Sequence, residues 1–287
     1  MTNKPVSPIH RRLYGNELKY VQEVLATEFR SSKGSIMSSR LEESFSQRFG
    51  SAYALSFVNG TATMHAALEA FGVGPGDEVI VPPLTMSATT FAVLQANATP
   101  VFADVNPDTF QISPTSIAER ITPKTRAIIT VALYGLSPDM DPIMEMARAR
   151  GIPVLEDCAQ SHGSRYKGRL VGTIGDISAF STMSIKHHAT AAQGGVVFTQ
   201  DEDLIWRARR ASDRGKPLGL EGVATTVQGI ATNVPVTNLV ASLNLNSNDL
   251  SAAVGIAQLK KLPAIIAGRR RVSAAIEQAV AARCKAI

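Results

Sequence analysis

The sequence predicts an α/β fold with a mostly parallel sheet and helices on both faces, and three observations support this. Apolar runs of strand length alternate with stretches of helical periodicity from Ala52 onward. Turn sequences rich in glycine and proline separate them, such as the Gly-Pro-Gly-Asp turn at 74–77. Strands that are joined through helices must cross over the sheet, which makes neighbouring strands parallel and covers both faces.

Each element is assigned from its own local pattern. The run YALSFV predicts the first strand and EVIVP, directly after the 74–77 turn, the second. The predicted strands are 53–58, 78–82, 100–105, 126–133, 152–155, 177–183 and 196–199. The predicted helices are 62–71, 87–96, 113–121, 140–150 and 249–261, and the chain is expected to run helically from there to its end. We expect Pro263 to break or kink this last helix.

Composition is that of an ordinary globular protein. The chain has 287 residues, of which 45% are hydrophobic and 18% charged, and its net charge is +5. This length and apolar content are enough for a sizeable core. No uninterrupted apolar stretch reaches the length of a membrane span. Cys158 and Cys284 are the only cysteines and have no metal-ligand spacing. We therefore expect a cytoplasmic protein, with neither a membrane nor a nucleic acid as partner.

A polar cluster, Asn59-Gly60-Thr61, follows the first predicted strand. Ligands of open α/β sheets bind at the carboxyl ends of the strands. Glycine lets the backbone approach a ligand closely, and the free N–H groups of a helix N-terminus attract phosphate. The cluster is therefore a candidate phosphate site. The alternative is that Thr61 only caps the helix.

A second polar cluster, Glu156-Asp157-Cys158-Ala159-Gln160, follows the strand predicted at 152–155. A carboxylate is costly to bury there unless it has a partner. Asp157 is in a position to hold a protonated pyridine nitrogen. The alternative is that this carboxylate caps a loop or pairs with a nearby arginine.

Lys186 lies between a predicted strand and the Gly194-Gly195 turn, in a segment that is otherwise uncharged. A lysine that forms an imine needs its pKa lowered by desolvation or by neighbouring cations. The alternative is a surface lysine in a loop. Adjacent histidines at His187 and His188 do not face the same way, and no third ligand is evident, so we expect no metal.

Taken together and in this order, the clusters resemble those of the DegT/DnrJ/EryC1/StrS family of sugar aminotransferases, which have fold-type I and depend on pyridoxal 5'-phosphate (PLP). The resemblance runs from about Gly15 to about Arg271. The matching stretches include PVLEDCAQSHGSRYKGRLVGTIGDISAFS, GGVVFT and NLNSNDLSAAVGIAQLKKL.

The resemblance implies roles for residues around the cofactor ring. Lys186 attaches PLP covalently, and Asp157 pairs with its pyridine nitrogen, so these two are the expected catalytic residues. Gln160 is expected near the 3-hydroxyl of the ring. Met86 stands where the family usually has an aromatic residue that stacks on the ring.

The resemblance also implies a phosphate site made of Gly60, Thr61 and Ser181. The family often supplies an asparagine from the partner subunit to this phosphate, and Asn244 is the matching position here. A homodimer with shared active sites is therefore expected.

The reaction implied by the resemblance moves an amino group from an amino acid, expected to be glutamate, to a keto sugar linked to a nucleotide. Such reactions serve amino-sugar, cell-surface polysaccharide or secondary-metabolite biosynthesis. Residues 1–250 are expected to form the large PLP-binding domain with an N-terminal helical segment. Residues 251–287 are expected to form the connecting helix and the truncated start of a small C-terminal domain.

Two alternatives stay open. Some relatives carry a histidine at the lysine position and dehydrate a deoxysugar, and counting back from Gly194 with the shorter spacing places His187 there. The second alternative follows from the short C-terminal part, which suits a catalytically impaired PLP-binding or regulatory protein.

Overall fold

A seven-stranded mixed sheet organises the described part of the chain, which comprises residues 13–27, 35–216, 226–227, 230–231, 238–239 and 241–284 of a computed structural model. In chain order, the strands are β1 (Tyr53–Phe57), β2 (Glu78–Val81), β3 (Thr99–Phe102), β4 (Thr125–Val131), β5 (Val154–Asp157), β6 (Arg165–Tyr166), β7 (Arg169–Leu170), β8 (Ile177–Ser181), β9 (Gly195–Thr199), β10 (Thr226–Val227) and β11 (Ile230–Ala231). The helices are α1 (Glu17–Leu25), α2 (Ile36–Phe49), α3 (Gly60–Ala70), α4 (Ala88–Gln95), α5 (Pro114–Arg120), α6 (Met140–Arg148), α7 (Glu202–Ser212) and α8 (Asp249–Arg283).

The sheet has the strand order β1-β9-β8-β5-β4-β2-β3, and the two short hairpins β6-β7 and β10-β11 lie outside it. Strands β8, β5, β4, β2 and β3 are parallel, whereas β9 is antiparallel to both of its neighbours. The carboxyl ends of the other six strands therefore meet the amino end of β9 at one edge of the sheet, which we name the carboxyl edge.

Helices cover both faces of the sheet. Strand residues alternate between two core clusters: Ile80 lies in one, and its neighbours Val79 and Val81 lie in the other. The first cluster joins the sheet to α2, α6 and α8, and the second joins it to α3, α4 and α7. The predicted α/β fold with helices on both faces is confirmed. The helices that connect the buried strands cover the apolar side chains on each face.

Element boundaries differ from the predictions by a few residues, and one difference matters for the site. The helix predicted at 62–71 begins at Gly60, and its N-cap is Asn59, whose side chain accepts a hydrogen bond from the Ala62 N–H at 2.8 Å. The alternative role of Thr61 as the cap is therefore wrong. Asn59 supplies the N-cap oxygen, and Thr61 is the second residue of the first turn.

Helix α8 runs without a break through Pro263, so of the expected break or kink at this residue the break is wrong. The proline removes one backbone donor, which is tolerated because this part of the helix is exposed. The half of α8 before Pro263 is packed against α1 and α2 in the first core cluster, with Ile256 and Leu259 buried. Residues 269–284 are exposed.

The length and composition of α8 also meet the requirement for crossing a membrane. This is weak support for a membrane span, because core helices have the same properties and the first half of α8 is buried in the protein.

Candidate active site

The polar clusters of the sequence meet at the carboxyl edge of the sheet. Asp157, the last residue of β5, is paired with Ala179 of β8, two residues before Ser181. Ser181 ends β8 and is paired with Gly195, which begins β9. Gly195 is in turn paired with Phe57 of β1, two residues before Asn59. Neighbouring strands therefore deliver a carboxylate, a hydroxyl and the N-terminus of α3 to the same place.

Two glycines allow the backbone to close tightly there. A Cβ atom on Gly60 would lie 2.8 Å from the Ser181 Cβ, closer than real Cβ contacts. A Cβ atom on Gly195 would lie 2.7 Å from the backbone oxygen of Asn59. Glycine is required at both positions because any side chain would push the N-terminus of α3 away from Ser181. This arrangement places the first turn of α3, which begins with Gly60 and Thr61, beside a serine hydroxyl. The N–H groups at a helix N-terminus favour an anion.

Asp157 is buried, with 5% of its surface exposed. Its Oδ2 accepts a hydrogen bond from the Thr89 hydroxyl at 3.0 Å, and its Oδ1 accepts one from the Ala159 N–H at 3.0 Å. Burial raises the pKa of the Asp157 carboxyl, whereas these two donors and the charge of Lys186 lower it. The carboxylate does cap the following loop, as the alternative proposed, and it also faces a cation.

Sequence reasoning missed Thr89, which holds Asp157. The signal was present as a pair of hydroxyl residues, Thr85 and Thr89, four positions apart where β2 leads into α4. Their hydroxyls are hydrogen-bonded at 3.0 Å. Nothing in the sequence relates Thr89 to a strand 68 residues further along.

Lys186 is half-buried in a pocket of about 310 Å³, lined also by Tyr134, Gln160, Ile185, His187 and Arg269. Burial lowers the pKa of the Lys186 ammonium, and the charge of Asp157 opposes this. A lowered pKa increases the fraction of neutral amine, the form that attacks a carbonyl. The position of Lys186 therefore differs from that of a surface lysine.

The segment that carries Lys186, residues 182–194, is closed by backbone hydrogen bonds between its two arms. The Thr182 N–H donates to the Gly194 oxygen at 2.8 Å, and the Ser184 N–H donates to the Ala192 oxygen at 3.0 Å. The Thr190 N–H donates to the Thr182 oxygen at 2.8 Å. We name this segment the lysine loop.

Gln160 lines the same pocket as Lys186, so these two predicted residues are brought together. Its Oε1 accepts a hydrogen bond from the Tyr134 N–H at 2.9 Å, which orients the amide. Tyr134 has a left-handed backbone (φ 56) and a side chain that is 81% exposed at the pocket wall. Such strain in a residue other than glycine is typical of functional sites, and no local pattern around Tyr134 predicts it.

Two predicted residues form no described hydrogen bond with another predicted site residue. Met86 lies in the turn before α4, with 67% of its surface exposed, and its oxygen accepts a hydrogen bond from the Thr89 N–H at 3.1 Å. Asn244 is exposed, and its Oδ1 accepts a hydrogen bond from Asn246 at 3.0 Å. Their roles in cofactor binding remain predictions.

His187 lines the pocket that contains Lys186, which we name the lysine pocket, and its ring lies 5.6 Å from the ring of His162. Within the described ranges, no group of three or more histidine, cysteine, aspartate or glutamate side chains is arranged to hold a metal ion.

Comparison with known proteins gives a consistent result. The profile of the DegT/DnrJ/EryC1/StrS aminotransferase family matches residues 12–286. GDP-perosamine synthase of Escherichia coli O157:H7 is 39% identical over 91% of this chain and 67% of that protein.

Solved structures show the same fold. An aminotransferase from Psychrobacter cryohalolentis is 36% identical, with a TM-score of 0.78 over 88% of this chain and 62% of that one. NtdA of Bacillus subtilis, solved with its bound cofactor PMP, is 29% identical, with a TM-score of 0.74 over 91% of this chain and 58% of that one. The chain thus spans roughly three fifths of the length of these two structures.

The family profile covers nearly the whole chain, and the curated relative shares well over a third of its residues. The predicted family and fold-type are therefore confirmed. The chain belongs to the DegT/DnrJ/EryC1/StrS family of PLP-dependent sugar aminotransferases.

Proposed function

We propose that this protein transfers an amino group from an amino acid, with glutamate as the donor, to a keto sugar linked to a nucleotide. The observation that carries the proposal is the meeting of Lys186, Asp157 and the Gly60–Ser181 contact at one edge of the sheet. The relative named GDP-perosamine synthase supports a GDP-linked acceptor.

The residues at the carboxyl edge fit PLP. The glycine-lined N-terminus of α3 and the Ser181 hydroxyl would hold its phosphate, and Thr61 would add a hydroxyl from the first turn. Gln160 would lie near the 3-hydroxyl of the ring, and the buried Asp157 would lie near its pyridine nitrogen. When bound, PLP supplies an electron sink for the negative charge that develops on the substrate carbon next to the nitrogen.

Asp157 and Lys186 divide the proton chemistry between them. The Asp157 carboxylate, held by Thr89 and Ala159, is in a position to keep a proton on the pyridine nitrogen of the cofactor. The positive charge of that protonated nitrogen would offset the cost of burying the carboxylate. The Lys186 Nζ lies in the field of Asp157 in a half-buried pocket, so it is the base placed to accept a proton and return it.

Lys186 is favoured over His187 as the residue that binds the cofactor. The charge of Asp157 acts on the Lys186 ammonium, and burial lowers the pKa of that group toward the reactive form. The ring of His187 instead faces His162. A deoxysugar dehydratase that uses His187 is therefore the less favoured function.

We also propose a cytoplasmic homodimer, without membrane or nucleic acid partners. Asn244 supports the dimer, because it is exposed and joins no phosphate-site residue of its own chain through a described hydrogen bond. In the proposed dimer the partner subunit's Asn244 donates to the phosphate.

Replacing Lys186 with alanine is expected to abolish the visible absorbance of lysine-bound PLP and all amino transfer, because no other amine lines this pocket within the described residues. His187→Ala should keep the absorbance. Borohydride reduction and mass spectrometry of the wild-type protein should locate the cofactor on Lys186. Absorbance lost in His187→Ala but kept in Lys186→Ala would reverse the assignment and favour the dehydratase.

Gly60→Ala is expected to reduce PLP affinity at least about tenfold, because the added methyl meets Ser181 and separates the two sides of the phosphate site. Gly74→Ala is a matched control, since nothing lies within 4 Å of its Cβ. Equilibrium titration with PLP measures both. Equal affinities would show that PLP phosphate does not bind at Gly60.

Asp157→Asn should keep a measurable amount of PLP but lose about 100-fold or more of its turnover, because an amide cannot hold the ring proton electrostatically. Steady-state amino transfer from glutamate to GDP-linked keto sugars gives the turnover, and absorbance gives the PLP content. Turnover equal to that of the wild type would remove Asp157 from the mechanism.

Asn244→Ala should weaken PLP retention about tenfold without unfolding the subunit, because one neutral donor to the phosphate is lost. A heterodimer of Asn244→Ala and Lys186→Ala subunits contains one intact composite site. At limiting PLP, the purified heterodimer should therefore be more active than either parent. A fully active monomer, or a verified heterodimer without this gain, would contradict the shared site.

A further inference from the structure

A second pocket adjoins the one that holds Lys186. It has a volume of about 330 Å³, and we name it the basic pocket because Arg165, Arg269, Arg270, His162 and His187 line it. The two pockets have Tyr134, Gln160, His187 and Arg269 in common. A ligand that reaches Lys186 can therefore extend into the basic pocket.

The basic pocket carries positive charge that the described residues leave uncompensated. No described aspartate or glutamate lines it, and none forms an ion pair with Arg165, Arg269 or Arg270. Arg269 donates to the Ile185 oxygen at 3.1 Å, and Arg165 donates to the Gly168 oxygen. Each guanidinium has five N–H donors, so most donors remain available to an anion.

His162 adds an independent observation. Its ring is buried, with 3% of its surface exposed, and neither ring nitrogen has a hydrogen-bond partner among the described residues. Burial is the main cause that holds the pKa of His162 well below its usual range, and the charges of nearby groups such as Lys186 and Arg269 lower it further. The ring is therefore neutral. A neutral imidazole without partners at a pocket wall is costly unless a bound group completes its hydrogen bonds.

We propose that the basic pocket binds the anionic group of a substrate, either a carboxylate or a phosphate, while the reacting carbon of that substrate lies at Lys186. This inference rests on the proposed function. Two sources have this chemistry: the distal carboxylate of the amino donor and the diphosphate of the nucleotide-linked sugar. Arg270 is the key residue, because it lines the basic pocket but not the lysine pocket.

The test is calorimetric binding of 2-oxoglutarate and of GDP, each alone, to the PLP-loaded protein. Arg270→Gln should weaken the binding of at least one anion about tenfold or more, since a charged hydrogen bond is lost. Arg271→Gln is the matched control: this arginine is the next residue on the same helix and lines a different pocket. It should change the dissociation constant less than about twofold. The visible absorbance of PLP should be the same in all three proteins.

The two ligands distinguish the sources. Weaker binding of 2-oxoglutarate alone identifies a donor carboxylate, and weaker binding of GDP alone identifies the diphosphate. The proposal is overturned if the wild-type protein binds neither anion, or if Arg270→Gln and Arg271→Gln bind both equally. Failure of the proposed function looks different, since the wild-type protein would bind an anion yet show no change in PLP absorbance with any amino donor.

Discussion

The buried carboxylate of Asp157 is the interaction on which the site depends. A carboxylate with 5% exposure is unfavourable unless hydrogen bonds and an opposite charge compensate it. The Thr89 hydroxyl and the Ala159 N–H supply the hydrogen bonds, and Lys186 supplies the charge. These partners come from α4, from the turn after β5 and from the lysine loop. One charge thus links three parts of the chain, and the same charge opposes the lowering of the Lys186 pKa that burial causes.

The two proposed anion sites are built from different elements. In the first, Gly60 and Thr61 begin α3 beside Ser181. In the second, the guanidiniums of the basic pocket come from α8 and from the short hairpin β6-β7. The two sets differ physically: the first uses fixed dipoles that need glycine to come close, and the second uses long, solvated side chains. Separate sets of donors suit a substrate and a cofactor that each carry negative charge.

Much of the fold could be predicted from the sequence, because strand-length apolar runs and helical periodicity are local signals. Asp157 and Lys186 could be singled out as candidate site residues because Asp157 ends a recognisable strand and Lys186 follows one, and the order of motifs indicates the family. Thr89 and Tyr134 were missed for different reasons. The role of Thr89 depends on a partner distant in sequence, and that of Tyr134 depends on a left-handed backbone that its residue type does not favour. The continuity of α8 through Pro263 was also missed, since exposure rather than sequence makes it tolerable.

The reversed direction of β9 affects how far the lysine loop is preorganised before the cofactor binds. Because β8 leaves the carboxyl edge and β9 returns to it as the neighbouring strand, both ends of the lysine loop are anchored in the sheet. Hydrogen bonds between its arms shorten the free segment further. The conformational entropy of this loop is therefore lost when the chain folds, and little remains to be lost when the cofactor arrives. The sheet thus preorganises the loop that carries Lys186, because the antiparallel strand β9 returns the chain to the edge at which β8 ends.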